Sequence, residues 1–158
     1  MERVAIALGS NLGDRLAHLN HAIQQLQPDM PDMIVSDLIE TDPVGVDPQP
    51  RFLNGALTGN WDGTARSLLD RLLELEQSRG RRRPHPGSPR TLDLDLILFG
   101  ACVIDNPGLS VPHPRFRGRG FVLIPLAQIA PEMVDPTTGL SIGELCQRWK
   151  EQQACASH

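Results

Sequence analysis

Within Arg90-Thr91-Leu92-Asp93-Leu94-Asp95-Leu96-Ile97-Leu98, apolar and acidic side chains alternate, and a period of 2 belongs to a β-strand. A regular strand sends Leu92, Leu94, Leu96 and Leu98 to one face and Asp93 and Asp95 to the other. The two carboxylates then stand side by side, with α-carbons roughly 6.6 Å apart by strand rise. Like charges at that spacing repel unless a cation lies between them. Oxygen-only ligands favour a hard ion such as magnesium, which keeps waters and shares substrate phosphates with one or two carboxylates. The competing reading is a solvated strand face paired with nearby arginines. For Asp-x-Asp alone the two readings stand level.

The neighbouring residues tip that balance. Lys150 is the single lysine, so fourteen of the fifteen basic side chains are arginines. Eight of these crowd into two short segments: Arg79, Arg81, Arg82, Arg83 and Arg90, then Arg115, Arg117 and Arg119. The planar guanidinium fork matches phosphate. On a chain of net charge −4, local positive charge marks a discrete anionic ligand, whereas a general nucleic-acid binder carries a basic excess. A metal beside arginines is what phosphoryl transfer requires, because catalysis there is mostly positioning and charge stabilisation. The glycine-, proline- and arginine-rich segment 80–89 reads either as a mobile lid or as a solvated basic loop.

Val111-Pro112-His113-Pro114 holds an imidazole on an extended path between two prolines. By itself His113 suggests a hydrogen bond to backbone; with Arg115, Arg117 and Arg119 following, a phosphate contact is the better reading. Gly9-Ser10-Asn11-Leu12-Gly13-Asp14 lies where a strand passes into a helix, so its amides could face an anion. It lacks the lysine and spacing of a P-loop, and a turn with a capping acid explains it equally well.

The elements that must position these groups follow from periodicity. Val4–Leu8 reads as a buried strand, and Leu16, Leu19, Ala22, Ile23 and Leu26 form a helical face ending before Pro28. Met33–Thr41 and Phe52–Trp61 read as strands around a proline-rich loop over 42–50. Thr64–Arg79 is a helix with Leu68, Leu69, Leu72, Leu73 and Leu75 on a broad apolar face, ended by Gly80. Thr91–Phe99 is the aspartate strand, expected at the centre of the sheet. The order βαββαβ predicts an α+β ferredoxin-like sandwich, an antiparallel sheet with both helices on one face. A short strand near Val103, an apolar run from Phe121 and a helix over Ile142–Trp149 read as peripheral C-terminal elements.

At 158 residues, 40% apolar and 22% charged, the chain fits one domain over 1–158. No run approaches the roughly 18 apolar residues that span a bilayer. With no signal-peptide pattern after Met1, a cytoplasmic protein without membrane attachment is expected. Cys102, Cys146 and Cys155 suggest neither a disulfide framework nor a thiolate zinc site.

Five motifs occurring in order, Ala7-Leu8-Gly9-Ser10-Asn11-Leu12-Gly13, Phe52-Leu53-Asn54, Pro89–Asp95, Val111-Pro112-His113 and Arg119-Gly120-Phe121-Val122-Leu123, resemble the 6-hydroxymethyl-7,8-dihydropterin pyrophosphokinase family of folate biosynthesis. The resemblance runs from about Val4 to Trp149. It implies a ferredoxin-like fold, with ATP and a dihydropterin as small-molecule substrates. It also implies two magnesium ions on Asp93 and Asp95, and attack of the pterin hydroxymethyl on the β-phosphorus with AMP leaving. Arg81 and Arg90 match catalytic arginines of that family, and Arg90 also an ATP contact. Glu76, Arg83, Ser110, His113 and Arg119 match other ATP-side positions. Thr41, Val44, Phe52, Asn54 and Phe121 match the pterin pocket, where phenyl rings suit a flat heterocycle and an asparagine amide suits its polar edge. The chain departs from the family pattern at Gly87-Ser88, where many members carry Trp-Gly, and at Asp42, Phe52 and Leu73. A monomer that binds no nucleic acid is expected. The alternatives are a nucleotidyltransferase, which would place Gly9-Ser10 and the Asp-x-Asp pair closer in sequence, or a non-catalytic ferredoxin-like module binding a ligand or RNA.

Overall fold

The computed structural model describes residues 1–42, 51–80 and 91–156. Strand β1 (Glu2–Ser10) is longer than its apolar centre. It leads into helix α1 (Arg15–Leu26), where the Asp14 carboxylate accepts the Ala17 N–H at 3.1 Å and supplies the cap. A 3-10 turn, Gln27–Asp29, closes α1 at Pro28. Helix α2 (Ala65–Ser78) starts on a reciprocal capping box between Thr64 and Ser67 and is followed by Gly80 at φ +75°, a backbone conformation that favours glycine.

The strand expected over Met33–Thr41 is in fact two, β2 (Ile34–Val35) and β3 (Ile39–Thr41). Ser36 breaks it. Its N–H donates to the Ala56 carbonyl, and its Oγ accepts the Ala56 N–H at 2.8 Å in place of a strand carbonyl. Leu38 then folds over Gly55, where a β-carbon would lie 2.6 Å from its Cδ2. Both pieces pair antiparallel with β4 (Phe52–Trp61).

The main sheet runs β2-β4-β1-β5, with β3 also beside β4, and every pairing is antiparallel. This is the expected α+β sandwich, with one change of place. Among the described residues, the aspartate strand β5 (Asp93–Phe99) pairs in this sheet with β1 alone, so it is an edge and not the centre. Its outer side is covered locally, since the His113 N–H donates to the Ile97 carbonyl at 2.9 Å. The alternation also fails at Leu98. The β1–β5 register shifts between Ala5 and Ile6, so Leu96 faces Ile6 but Leu98 faces Ala5. An extra residue at such a bulge reverses the side-chain pattern beyond it.

The sheet is buried on both sides. On one, Val4, Ile6, Leu8, Leu94 and Leu96 pack with Leu19 and Leu26 of α1 and Leu68, Leu72 and Leu75 of α2. Leu73, expected on that apolar face, is 41% exposed, because it lies a third of a turn from the Leu68–Leu72–Leu75 line. On the other side, Ala5, Ala7, Ala56, Ile97 and Leu98 pack under helices α3 (Gly120–Ile129) and α4 (Ile142–Ala156). The C-terminal elements are therefore a second helical layer, not a periphery. Phe116 is fully buried in that layer, a burial that contributes about 2–3 kcal/mol. Strands β6 (Ile104–Asn106) and β7 (Leu109–Val111) form a separate two-stranded ribbon. Among the described residues, no helix is long and apolar enough to cross a membrane.

Candidate functional site

Three strands bring the polar residues into rows. Gly9 on β1 lies opposite Asp93 of β5 on one side and opposite Asn54 of β4 on the other. The next row joins Asp95, Ala7 and Ala56. With strands about 4.8 Å apart, the backbones of Asp93 and Asn54 lie roughly 10 Å from each other across a residue with no side chain. Gly9 is required there. A β-carbon on it would sit 2.6 Å from Asn54 Oδ1 and 3.6 Å from Phe52 Cδ1.

The Asn54 end of the row is held firmly. Asn54 is buried, and its Nδ2 donates to Thr41 Oγ1 at 2.5 Å. Thr41 in turn pairs with Phe52, and Ile39 with Asn54, in the β3–β4 register. Thr41, Phe52 and Asn54 therefore form one patch beside Gly9.

At the Asp93 end, both aspartates are half-buried on the edge strand. Between them the Leu94 N–H points away from β1 and donates to Glu76 Oε2 at 2.7 Å. Glu76 is buried on α2, so helix and strand are tied together between the two carboxylates. A cleft of about 270 Å³ opens along this edge, lined by Leu69, Leu94, Asp95, Leu96, Leu109, Ser110 and His113 among others. Its lining combines leucines with a carboxylate, a hydroxyl and an imidazole.

His113 is fixed by two main-chain contacts: its own N–H to Ile97, and its Nδ1, which accepts the Arg115 N–H at 3.1 Å. Because Nδ1 accepts, the neutral ring carries its proton on Nε2. Burial pushes its pKa down to about 4, the Arg119 and Arg115 guanidiniums push the same way, and Asp93 opposes them. The ring is therefore a neutral donor at pH 7. Arg119, at the start of α3, lies 5.6 Å from the centroid of the Phe121 ring, within cation–π range.

The arginines after Pro114 do not act alike. Arg117 grips Asp135, with Nε to Oδ2 at 2.6 Å and Nη2 to Oδ1 at 3.0 Å. Asp135 is fully buried and also accepts from Thr137 N and Thr138 Oγ1. Arg117, one of the cluster read as marking an anion, is thus committed to a bidentate structural pair. Arg79 likewise donates to His18 Nδ1 on α1. Val44, Arg81, Arg83, Arg90 and the Gly87-Ser88 departure lie outside the described residues.

Two features escaped the sequence reading. Glu76 was singled out by resemblance, but its grip on the β5 backbone had no local signal. The Arg117 partner was signalled only weakly, by the turn-forming run Asp135-Pro136-Thr137-Thr138-Gly139.

The family model for 7,8-dihydro-6-hydroxymethylpterin-pyrophosphokinase matches residues 5–131. A Pseudomonas aeruginosa protein named 2-amino-4-hydroxy-6-hydroxymethyldihydropteridine pyrophosphokinase is 41% identical over 135 residues, covering 84% of this chain and 83% of its own. A Bacillus subtilis protein of the same name is 39% identical over 150 residues, covering 93% of this chain and 90% of its own. In structure, the chain resembles the Plasmodium falciparum HPPK-DHPS crystal structure with a TM-score of 0.72 at 14% identity. The match covers 96% of this chain and 46% of that one, so the chain spans just under half of that protein and the likeness speaks to fold.

Proposed function

Since the chain belongs to the 7,8-dihydro-6-hydroxymethylpterin-pyrophosphokinase family, we propose that it transfers the diphosphate group of ATP to the hydroxymethyl group of 6-hydroxymethyl-7,8-dihydropterin. AMP leaves, and the dihydropterin diphosphate is a precursor in folate biosynthesis. The observation that carries this reading is the row Asp93–Gly9–Asn54. It sets a carboxylate pair suited to a phosphate-bound cation across one intervening strand from an amide suited to a pterin edge.

The donor set fits magnesium. Asp93 and Asp95 offer hard oxygen ligands from one strand face, and Gly9 and Ala7 beside them leave room that larger side chains would fill. Two carboxylates leave the remaining coordination to phosphate and water oxygens. When bound, the metal would neutralise phosphate charge. Other roles fall to the chain's own groups. Asn54, held by Thr41, presents its amide oxygen to the pterin edge beside Phe52, with Phe121 supplied by α3. Glu76 holds Leu94 and so fixes the spacing of the two carboxylates. The cleft takes the nucleoside: its leucines suit an apolar base face, Ser110 suits a ribose hydroxyl, and the Nε2–H of His113 suits a phosphate oxygen. Arg81, Arg83, Arg90 and Arg119 supply the cationic side, and a hydroxymethyl oxygen aligned with the β-phosphorus displaces AMP.

The test is product analysis with ATP, magnesium and the dihydropterin. AMP and pterin diphosphate in equal amounts are expected. Release of pyrophosphate with nucleotide incorporation would replace this reading by nucleotidyl transfer, and binding without turnover by a ligand-binding module.

A further inference from the structure

Arg15 occupies the first position of α1, where a cation is opposed by the helix dipole. What it touches gives that placement a purpose. Its Nη2 donates to Glu40 Oε1 at 2.5 Å and its Nη1 to the Arg51 carbonyl at 2.9 Å. Glu40 belongs to β3, and Arg51 immediately precedes β4. One guanidinium therefore holds both members of the β3–β4 pair to the start of a helix. The network continues outward: Arg51 Nη1 lies 3.4 Å from Glu40 Oε2, and its Nε lies 3.2 Å from Asp42 Oδ1. The Arg15 hydrogen bond keeps the Glu40 carboxyl below its ordinary range.

The register shows what this grip controls. Glu40 faces Leu53, and the next pair outward is Thr41 with Phe52. Both of these Arg15 contacts thus fall one residue from a member of the Thr41–Phe52–Asn54 patch. We propose that Arg15 is a positioning residue for the pterin subsite, clamping β3 and β4 in the register that presents Thr41, Phe52 and Asn54. The proposal rests on the pterin reading of that patch.

Because the clamp is exposed, its loss should scarcely affect global stability, and its signature is selective. In Arg15→Ala the dihydropterin KM should rise about tenfold with kcat within about twofold of wild type, matching loss of binding that is uniform along the reaction. The ATP KM and Tm should be unchanged. Arg15→Lys keeps a cation with a single point of contact and should recover part of the loss. Hydrogen exchange at the amides of 39–41 and 52–54 should quicken in Arg15→Ala without any ligand. An unchanged pterin KM with unchanged exchange would overturn the clamp, as would equal losses for ATP and pterin. A wild-type protein that binds no pterin would instead overturn the subsite reading, and the proposal with it.

Discussion

Adding one methyl group at Gly9 should cripple pterin binding while leaving the fold standing. In Gly9→Ala the new β-carbon would meet Asn54 Oδ1 at 2.6 Å, well inside van der Waals contact. Asn54 sits on an interior strand, so relief must come from rotating its side chain. Rotation breaks the hydrogen bond to Thr41 Oγ1, costing about 1 kcal/mol for a neutral pair, and an off-rotamer angle adds about 0.5–1.5 kcal/mol. Part of this is offset in stability, because alanine narrows the unfolded ensemble by about 0.4–1 kcal/mol relative to glycine. The net loss of stability is then about 1 kcal/mol, a fall in Tm of roughly 3–4 °C for a chain of this size. Pterin binding has no such offset. If a displaced amide forfeits the full 2 kcal/mol or so, the pterin KM rises about 30-fold. Steady-state kinetics with each substrate varied in turn, beside thermal melts, reads all three quantities. A double-mutant cycle isolates the mechanism: in an Asn54→Ala background, Gly9→Ala should add little further loss. A normal pterin KM in Gly9→Ala, or full additivity with Asn54→Ala, would refute the reasoning.

Arg117→Ala leaves Asp135 buried without its guanidinium, and should cost about 3 kcal/mol of stability by urea unfolding while the ATP KM stays at the wild-type value; a raised KM without destabilisation would instead put Arg117 on the phosphates. The same pair has a pH signature, because the hydrogen bonds from Arg117, Thr138 and Thr137 lower the Asp135 pKa from 3.8 against the opposing effect of burial. A depressed folded pKa means stability that is present above 3.8 and lost as pH falls through the folded value, so the advantage of wild type over Asp135→Asn should shrink below about pH 4. His113→Ala should raise the ATP KM about tenfold, as expected for losing one hydrogen bond to a charged group. His113→Gln, which keeps an N–H near the position of Nε2, should recover most of that loss, and equal losses in both variants would point to packing instead.

The helices α1 and α2 and the two-faced character of Asp93–Leu96 could be read from periodicity and caps, because these signals are local and agree with the packing. The unbroken run Val4–Leu8 also carried the sign of burial on both faces, which α3 and α4 fulfil from the far end of the chain. Other features depend on partners distant in sequence. Leu98 reverses face because of a bulge against Ala5 and Ile6, which no alternation rule can foresee. The gap in the 34–41 strand depends on the Ser36 side chain meeting Ala56. Arg117 and Arg119 look alike in sequence, and only the return of Asp135 to the buried side of Arg117 separates a structural guanidinium from one beside the site. For the site, residue types and spacing reached carboxylates, arginines and an imidazole around an anion. The pterin and the identities of its contacts came through family resemblance, since a phenylalanine or an asparagine on a strand has no chemistry that singles it out.

The central claim is that a metal-binding carboxylate pair on β5 and a pterin-reading amide on β4 work across the bare backbone of Gly9. A crystal structure with a non-hydrolysable ATP analogue, magnesium and the dihydropterin tests it most directly. The account predicts magnesium on Asp93 and Asp95, the pterin edge on Asn54 beside Phe52, and the hydroxymethyl oxygen aimed at the β-phosphorus. Magnesium bound elsewhere, or a pterin seated away from Asn54, would contradict it.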